Sequence, residues 1–263
     1  MKGNSMKKAL LALAAATAAV QVWAISGTIS TATDTKKGDI KWQSRNKLYT
    51  VKIKKGSTMV DIELKQADVV SLDIPKPENF DRAVAQVEAG NGAAAVAALT
   101  KIVEDYRMLV WDRPAGRYLA LAHLAAGNAQ KAYDVCQRIV AEDKSAAYSG
   151  DVAPAYWQVL LKLGKIDQLE GLLKKAASSD DRVASAAALV MRGDIIQKGA
   201  NDDPAKLRLA LRDGYLRVVM MYRDPACRRE RAEALLKAAD VFDKLHQSSR
   251  AETFRREAKM SAM

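Results

Sequence analysis

The chain has 263 residues, a formal net charge of +11 and 49% hydrophobic but only 6% aromatic residues. Its apolar content is mostly Ala, Leu and Val, which favours packed helices and excludes a disordered or collagen-like chain. The length allows one large or two small domains with a real core.

The N-terminus reads as a targeting segment. "MKGNSMKK" is basic, "ALLALAAATAAV" (9–20) is apolar, and "QVWA" places Val22 and Ala24 where cleavage after Ala24 needs them. The apolar run is too short to span a membrane, and no Cys follows it to carry a lipid. Residues 1–24 are therefore expected to be a signal peptide, leaving a periplasmic or secreted mature chain without an integral membrane segment. Loss of Lys2, Lys7 and Lys8 lowers the net charge to +8. The remaining basic excess sits at the two ends. In an exported protein it points to acidic envelope polymers or proteins as partners, and away from nucleic acid.

Residues 25–77 alternate with period two. "ISGTIST", "GDIKWQS", "LYTVKIK", "TMVDIEL" and "DVVSLDI" predict five short antiparallel strands, as an SH3-like barrel or a curled sheet. Tyr49, Val51 and Ile53 should share a face, as should Val60, Ile62 and Leu64, and Val70, Leu72 and Ile74. "IPKPENF" (74–80) ends this β module, because Pro cannot continue a central strand.

From residue 78 to 263 the pattern is helical, and it repeats. "RAVAQVEAGNGAAAVAALTKIV", "RYLALAHLAAGNAQKAYDVCQRIV" and "AYWQVLLKLGKIDQLEGLLKKA" align without gaps, their turn glycines Gly90, Gly127 and Gly164 spaced 37 residues apart. Five beyond each glycine stand Ala95, Ala132 and Leu169. Nine beyond stand Leu99, Cys136 and Leu173, and twelve beyond Ile102, Ile139 and Ala176; seven before stand Ala83, Ala120 and Trp157. A fixed period of this size marks a solenoid. The order small residue, turn Gly, small residue, apolar residues resembles the tetratricopeptide repeat (TPR). The period departs from that family's 34, and Trp157 and Leu169 stand where small residues are expected, so the third hairpin should pack more widely. Two less regular hairpins follow. Gly193, Ala210 and Ala251 hold small positions, Pro204 and Pro225 open helices, and "QSS" makes the last turn. Asp112 and Asp151 are expected N-caps. The fold expected is mainly α: a TPR-like superhelix of about five hairpins behind a small β module.

No catalytic motif, metal-ligand spacing or cofactor loop is present, so neither an enzyme nor a cofactor or metal protein is expected. His123 and Cys136 fall on partner helices of one hairpin. However, Cys136 replaces leucines of the flanking repeats and reads as core, and Cys136 and Cys227 lie too far apart in a linear array to bridge. "RGD" (192–194) falls inside a helix at a packing position. "CRRERAEALLKAADVFDKL" reads as a capping helix with Leu235, Leu236, Ala239 and Leu245 for packing. The TPR resemblance implies a protein or peptide partner, expected in a cell-envelope complex and bound along the concave face. Arg82, Gln86, Arg117 and His123 are its candidate residues, Gln86 and His123 holding equivalent repeat positions. The alternative is an acidic polymer, peptidoglycan or glycan, held by Lys52, Lys54 and Lys55 of the β module.

Overall fold

The structure, a computed structural model, describes residues 24–262. The signal segment lies outside the described residues apart from Ala24. β1 (Ile25–Thr31), β2 (Thr35–Gln43), β3 (Leu48–Lys55), β4 (Thr58–Lys65) and β5 (Val69–Asp73) form one antiparallel sheet in the order β4-β3-β2-β1-β5. A single 3₁₀ turn, Gln66–Asp68, leads into β5. The period-two pattern explains the inner face. Ile29, Ile40, Trp42, Tyr49 and Val51 are buried, and Val51 pairs with Ile40 on one side and Ile62 on the other.

Two expectations for this sheet fail for local reasons. The β1–β5 register shifts between Ser30 and Thr31, so Thr31 pairs with Val69 while Ser30 pairs with Ser71. Val70 is the extra residue of this bulge and is 71% exposed; Val69 packs inward with Leu72 instead. Val60, on edge strand β4 near the hairpin tip, is also exposed.

The helices are α1 (Phe80–Glu88), α2 (Gly92–Asp105), α3 (Asp112–Ala125), α4 (Ala129–Glu142), α5 (Val152–Lys162) and α6 (Ile166–Ala177), followed by α7 (Arg182–Lys198). Next, α8 (Pro204–Ala210) runs through a π turn (Leu211–Tyr215) into α9 (Leu216–Met221). Then α10 (Arg228–Lys244) and α11 (Ser248–Ala262) close the array. The twelve repeat positions at fixed offsets from the three turn glycines are all buried, from Ala83 and Ala95 to Trp157 and Leu169. Bulky Trp157 and Leu169 keep α5 and α6 farther apart than α1 and α2 or α3 and α4, as their size requires.

Each hairpin turn is built the same way. Gly90, Gly127 and Gly164 have φ of +79°, +75° and +69°. In each turn the next residue's N–H reaches back over the last helical turn: Asn91 to the Gln86 carbonyl at 2.8 Å, Asn128 to His123 at 2.8 Å, Lys165 to Leu160 at 2.9 Å. This is a Schellman closure, which needs a left-handed residue. The same spacing falls on Asn201, φ +46°, but Asp202 is left-handed too, φ +62°, and no such back-bond closes this turn among the described residues, so the fourth hairpin turns differently. Between α10 and α11 the left-handed residue is His246, φ +57°, with Gln247 N–H on the Phe242 carbonyl at 2.8 Å.

Helix starts differ from expectation. Asp151 makes no side-chain cap, and Asp112 is the first residue of α3 with its carboxylate turned back to the Met108 N–H at 2.9 Å. The side-chain caps of the later helices are Asp181, on Ala184 N–H, and Asp203, on Ala205 N–H with Pro204 behind it. Pro225 opens a 3₁₀ turn, and α10 begins only at Arg228. Of the four packing residues expected on α10, Leu236 is 49% exposed. The polar cap of the array is α11, which buries little beyond Ala251 and Ala258.

The sheet and the helices share a core. Met108 and Leu109, in the loop between α2 and α3, are buried against Ile29, Ile40, Tyr49, Val51 and Ile74. Tyr49 O–H donates to the Met108 carbonyl at 3.0 Å, and Trp111 Nε1–H donates to the Ile74 carbonyl at 2.8 Å. The loop reaches the sheet with Met108 at φ +58° and Val110 at φ +75°. A β-branched residue seldom accepts such a conformation unless its surroundings hold it there.

Candidate protein-interaction groove

The first helices of the second to fifth hairpins, α3, α5, α7 and α10, each contribute residues to an open groove. Two adjoining clefts of about 290 and about 300 Å³ occupy this face, sharing Pro154 and Gln158 of α5, Ala187 of α7 and Glu233 of α10. Trp157, Leu161, Val190 and Met191 give the first cleft an apolar floor. Its rim carries both charge signs. Lys237 Nζ sits 2.5 Å from Asp194 Oδ2 and 3.2 Å from Glu233 Oε1, tying α10 to α7. Asp194 also accepts from the Tyr215 hydroxyl at 2.8 Å.

The second cleft brings Arg117 of α3 toward Glu230 of α10. Burial raises the Glu230 carboxyl above its ordinary range, against the pull of Arg229 and Arg117. Its Oε2 is covered and has no hydrogen-bond donor among the described residues. Arg117, Arg229 and Glu230 thus give this end of the groove charges of both signs, and the guanidinium groups can pair with a carbonyl or carboxylate of a bound chain.

Of the residues singled out from sequence, Arg117 lies in this groove. Gln86 and His123 hold equivalent places, as their matching turn hydrogen bonds demonstrate, but they stand at the tips of the first two hairpins, outside both clefts. Partial burial and then the Lys131 charge hold the His123 pKa below its ordinary value. Arg82 is exposed on α1 and bonds the Asn79 side chain at 3.1 Å. Gln158, Glu230 and Glu233 were missed because the groove joins helices far apart in sequence. Only the fold of α10 back against α7 places Glu233 opposite Gln158.

Lys52, Lys54 and Lys55 are exposed on β3. Lys52, however, pairs with Asp39 on β2 and Asp61 on β4, so acidic neighbours flank it on both sides. The sheet's outer face is mixed in sign around it.

Cys136 is fully buried in the core that also holds Ala120, Ala132 and Trp157, and burial pushes its thiol up to about 12. Such a thiol is protonated at neutral pH and is no nucleophile. Cys227 is buried too, and both are free thiols. Two aromatic residues of α5 are structural as well: the Trp157 indole donates to the Ala147 carbonyl at 2.9 Å, and the buried Tyr156 hydroxyl accepts from Gln137 and Gln168. Gly193 of the RGD triplet lies against Gly214 and the Tyr215 ring, where a Cβ would come within 2.5 Å of the ring. No described helix is long and apolar enough to cross a membrane.

No protein-family model matches the chain, and no curated protein matches it. Among solved structures, a Podosopora anserina kinesin light chain with nearly identical TPR-like repeats is 15% identical. It covers 70% of this chain and 92% of its own length, with a TM-score of 0.42. MamA AMB-1 is 14% identical over 71% of this chain and 98% of its own, with a TM-score of 0.39. BtubC from P. vanneervenii is 15% identical over 70% and 89%, with a TM-score of 0.37. At these values they carry no functional meaning for this chain. Its TPR-like fold stands on its own helical hairpins and left-handed turns.

Proposed function

We propose that the chain is a non-enzymatic adaptor that holds a protein or peptide in the groove lined by α3, α5, α7 and α10, within a bacterial cell-envelope complex. The observation that carries this reading is the groove's composition. An apolar floor runs beside paired charges of both signs, and one end is lined by Arg117 and Arg229 together with Glu230 and Glu233. A bound chain supplies side chains for the floor and backbone N–H and C=O groups for the polar end. Location outside the cytoplasm rests on the sequence of residues 1–24, with its basic start, apolar run and small residue at the cleavage position.

A photo-crosslinking amino acid at exposed Gln158 tests the groove. It should capture a defined protein that the same group at exposed Lys54 does not. Identical adducts from both positions would remove the groove from the proposal. N-terminal sequencing of the protein recovered from an envelope fraction tests export. Isoleucine 25 as the first residue supports it, and retention of residues 1–24 in the cytosol overturns it.

A further inference from the structure

A second cleft, sharing no lining residue with the groove, lies where α8, the π turn and α9 meet the end of α10 and the start of α11. Its volume is about 380 Å³. Leu211, Leu216, Met220, Phe242 and Leu245 give it an apolar floor, and Met220 is 68% exposed. Arg208, Arg212, Arg217 and Arg250 surround that floor, and no carboxylate lines it.

The π turn makes this arrangement possible. Leu216 N–H donates to the Leu211 carbonyl, a bond to the fifth residue back. Residues five apart are thus stacked one turn above each other here, where an α-helix would rotate them apart. Arg208, Arg212 and Arg217 consequently form one stripe, and Leu211, Leu216 and Met220 form a parallel one. In an uninterrupted α-helix, Arg217 and Met220 would leave this face.

Two of the arginines are occupied within the chain. Arg212 Nε pairs with Asp213 at 2.7 Å, and Arg250 bonds the Gln247 side chain at 2.9 Å while lying 5.8 Å from the Phe242 ring centroid. Arg208 and Arg217 are exposed and form no ion pair within 4 Å among the described residues, though the Arg217 charge helps Arg212 to hold the Asp213 carboxyl down. An apolar floor on which Met220 is exposed, between two guanidinium groups with no carboxylate within ion-pair distance, complements a bulky apolar side chain flanked by carboxylates.

We infer that this cleft is a docking site for an acidic peptide segment that carries large apolar side chains. The inference is independent of the groove. Fluorescence anisotropy of a short labelled peptide alternating glutamate and leucine tests it on the full mature chain. Binding is expected, with no binding of the matching lysine–leucine peptide. The double variant Arg208→Glu/Arg217→Glu should weaken it by about tenfold or more, as loss of charge pairs at a rim and floor demands. Met220→Ser should weaken it separately. All three residues are exposed, so the variants should retain the wild-type circular dichroism and melting curve. Binding that is unchanged in the double variant overturns the inference. So does binding to phosphatidylglycerol vesicles without peptide binding, or concentration-dependent self-association that Met220→Ser abolishes.

Discussion

The Tyr49 hydroxyl donates to the Met108 carbonyl across 59 residues of sequence, and in doing so it joins the sheet to the helical array. The bond is buried, so the cost of losing it includes an unpartnered carbonyl. Tyr49→Phe should lower stability by about 1–3 kcal/mol. Leu109→Ala, emptying a fully enclosed position in the same core, should cost about 2–5 kcal/mol. Urea denaturation followed by circular dichroism measures both. If the sheet signal and the helix signal lose midpoint together, the two parts unfold as one unit.

The repeat turns make opposite predictions for adding and removing a side chain. A Cβ on Gly127 would meet nothing within 4 Å, so its cost is backbone strain alone. Gly127→Ala should destabilise by about 1 kcal/mol. His246 already bears that strain at φ +57°, so His246→Gly should gain about 0.5 kcal/mol after the extra freedom of glycine in the unfolded chain is counted. Shifts in urea midpoint at constant slope provide the readout.

Two aspartates give the stability–pH curve contributions of opposite sign. At Asp181 burial raises the pKa, but hydrogen bonds from Ala184 and Gly150 N–H and the Ser149 hydroxyl outweigh it, so the net shift is downward. Its stabilisation is present above the ordinary aspartate value and is lost as pH falls through the depressed folded value. At Asp112 burial dominates and raises the pKa. There the unfolded chain ionises first, so stability falls as pH rises from the ordinary value to the raised one. Asp181→Ala should flatten the acid limb and cost about 0.5–2 kcal/mol at neutral pH. Asp112→Asn should make the slope between the ordinary aspartate value and neutrality more positive. Urea midpoints taken down to about pH 3 separate the two.

Cys136 should resist a thiol reagent in the folded protein and react only after denaturant is added. Cys136→Ser should destabilise by about 1–3 kcal/mol, because it buries a hydroxyl among apolar side chains. Fast labelling of the native thiol would place Cys136 outside the core.

The repeat was legible because glycine at a left-handed turn and alanine at a close helix contact each have one physical reason to be there. His246 does the same work as the glycines without looking like them. The strand faces were legible until the Ser30–Thr31 bulge, which a period-two count cannot register. Nothing in "YRMLVW" (106–111) says that its apolar residues pack against the sheet instead of the helices beside them. Arg117 could be named from sequence, but its counterpart Glu230 could not, because only the fold of α10 against α7 brings them together. The π turn hid the arginine cleft for a related reason: helical periodicity read through residues 211–215 puts Arg217 on the wrong side.

The two prolines after β5 do not mark the end of what the sheet requires. During synthesis, Ile29, Ile40 and Val51 are in place well before Met108 and Leu109 exist to cover them. At about 5–20 residues per second, the ribosome leaves that oily surface uncovered for a few seconds. A fragment stopped at residue 77 would keep it uncovered permanently. The N-terminal sheet should therefore mature only as the second hairpin arrives, and a premature stop between them should yield an aggregating product in place of a small soluble domain.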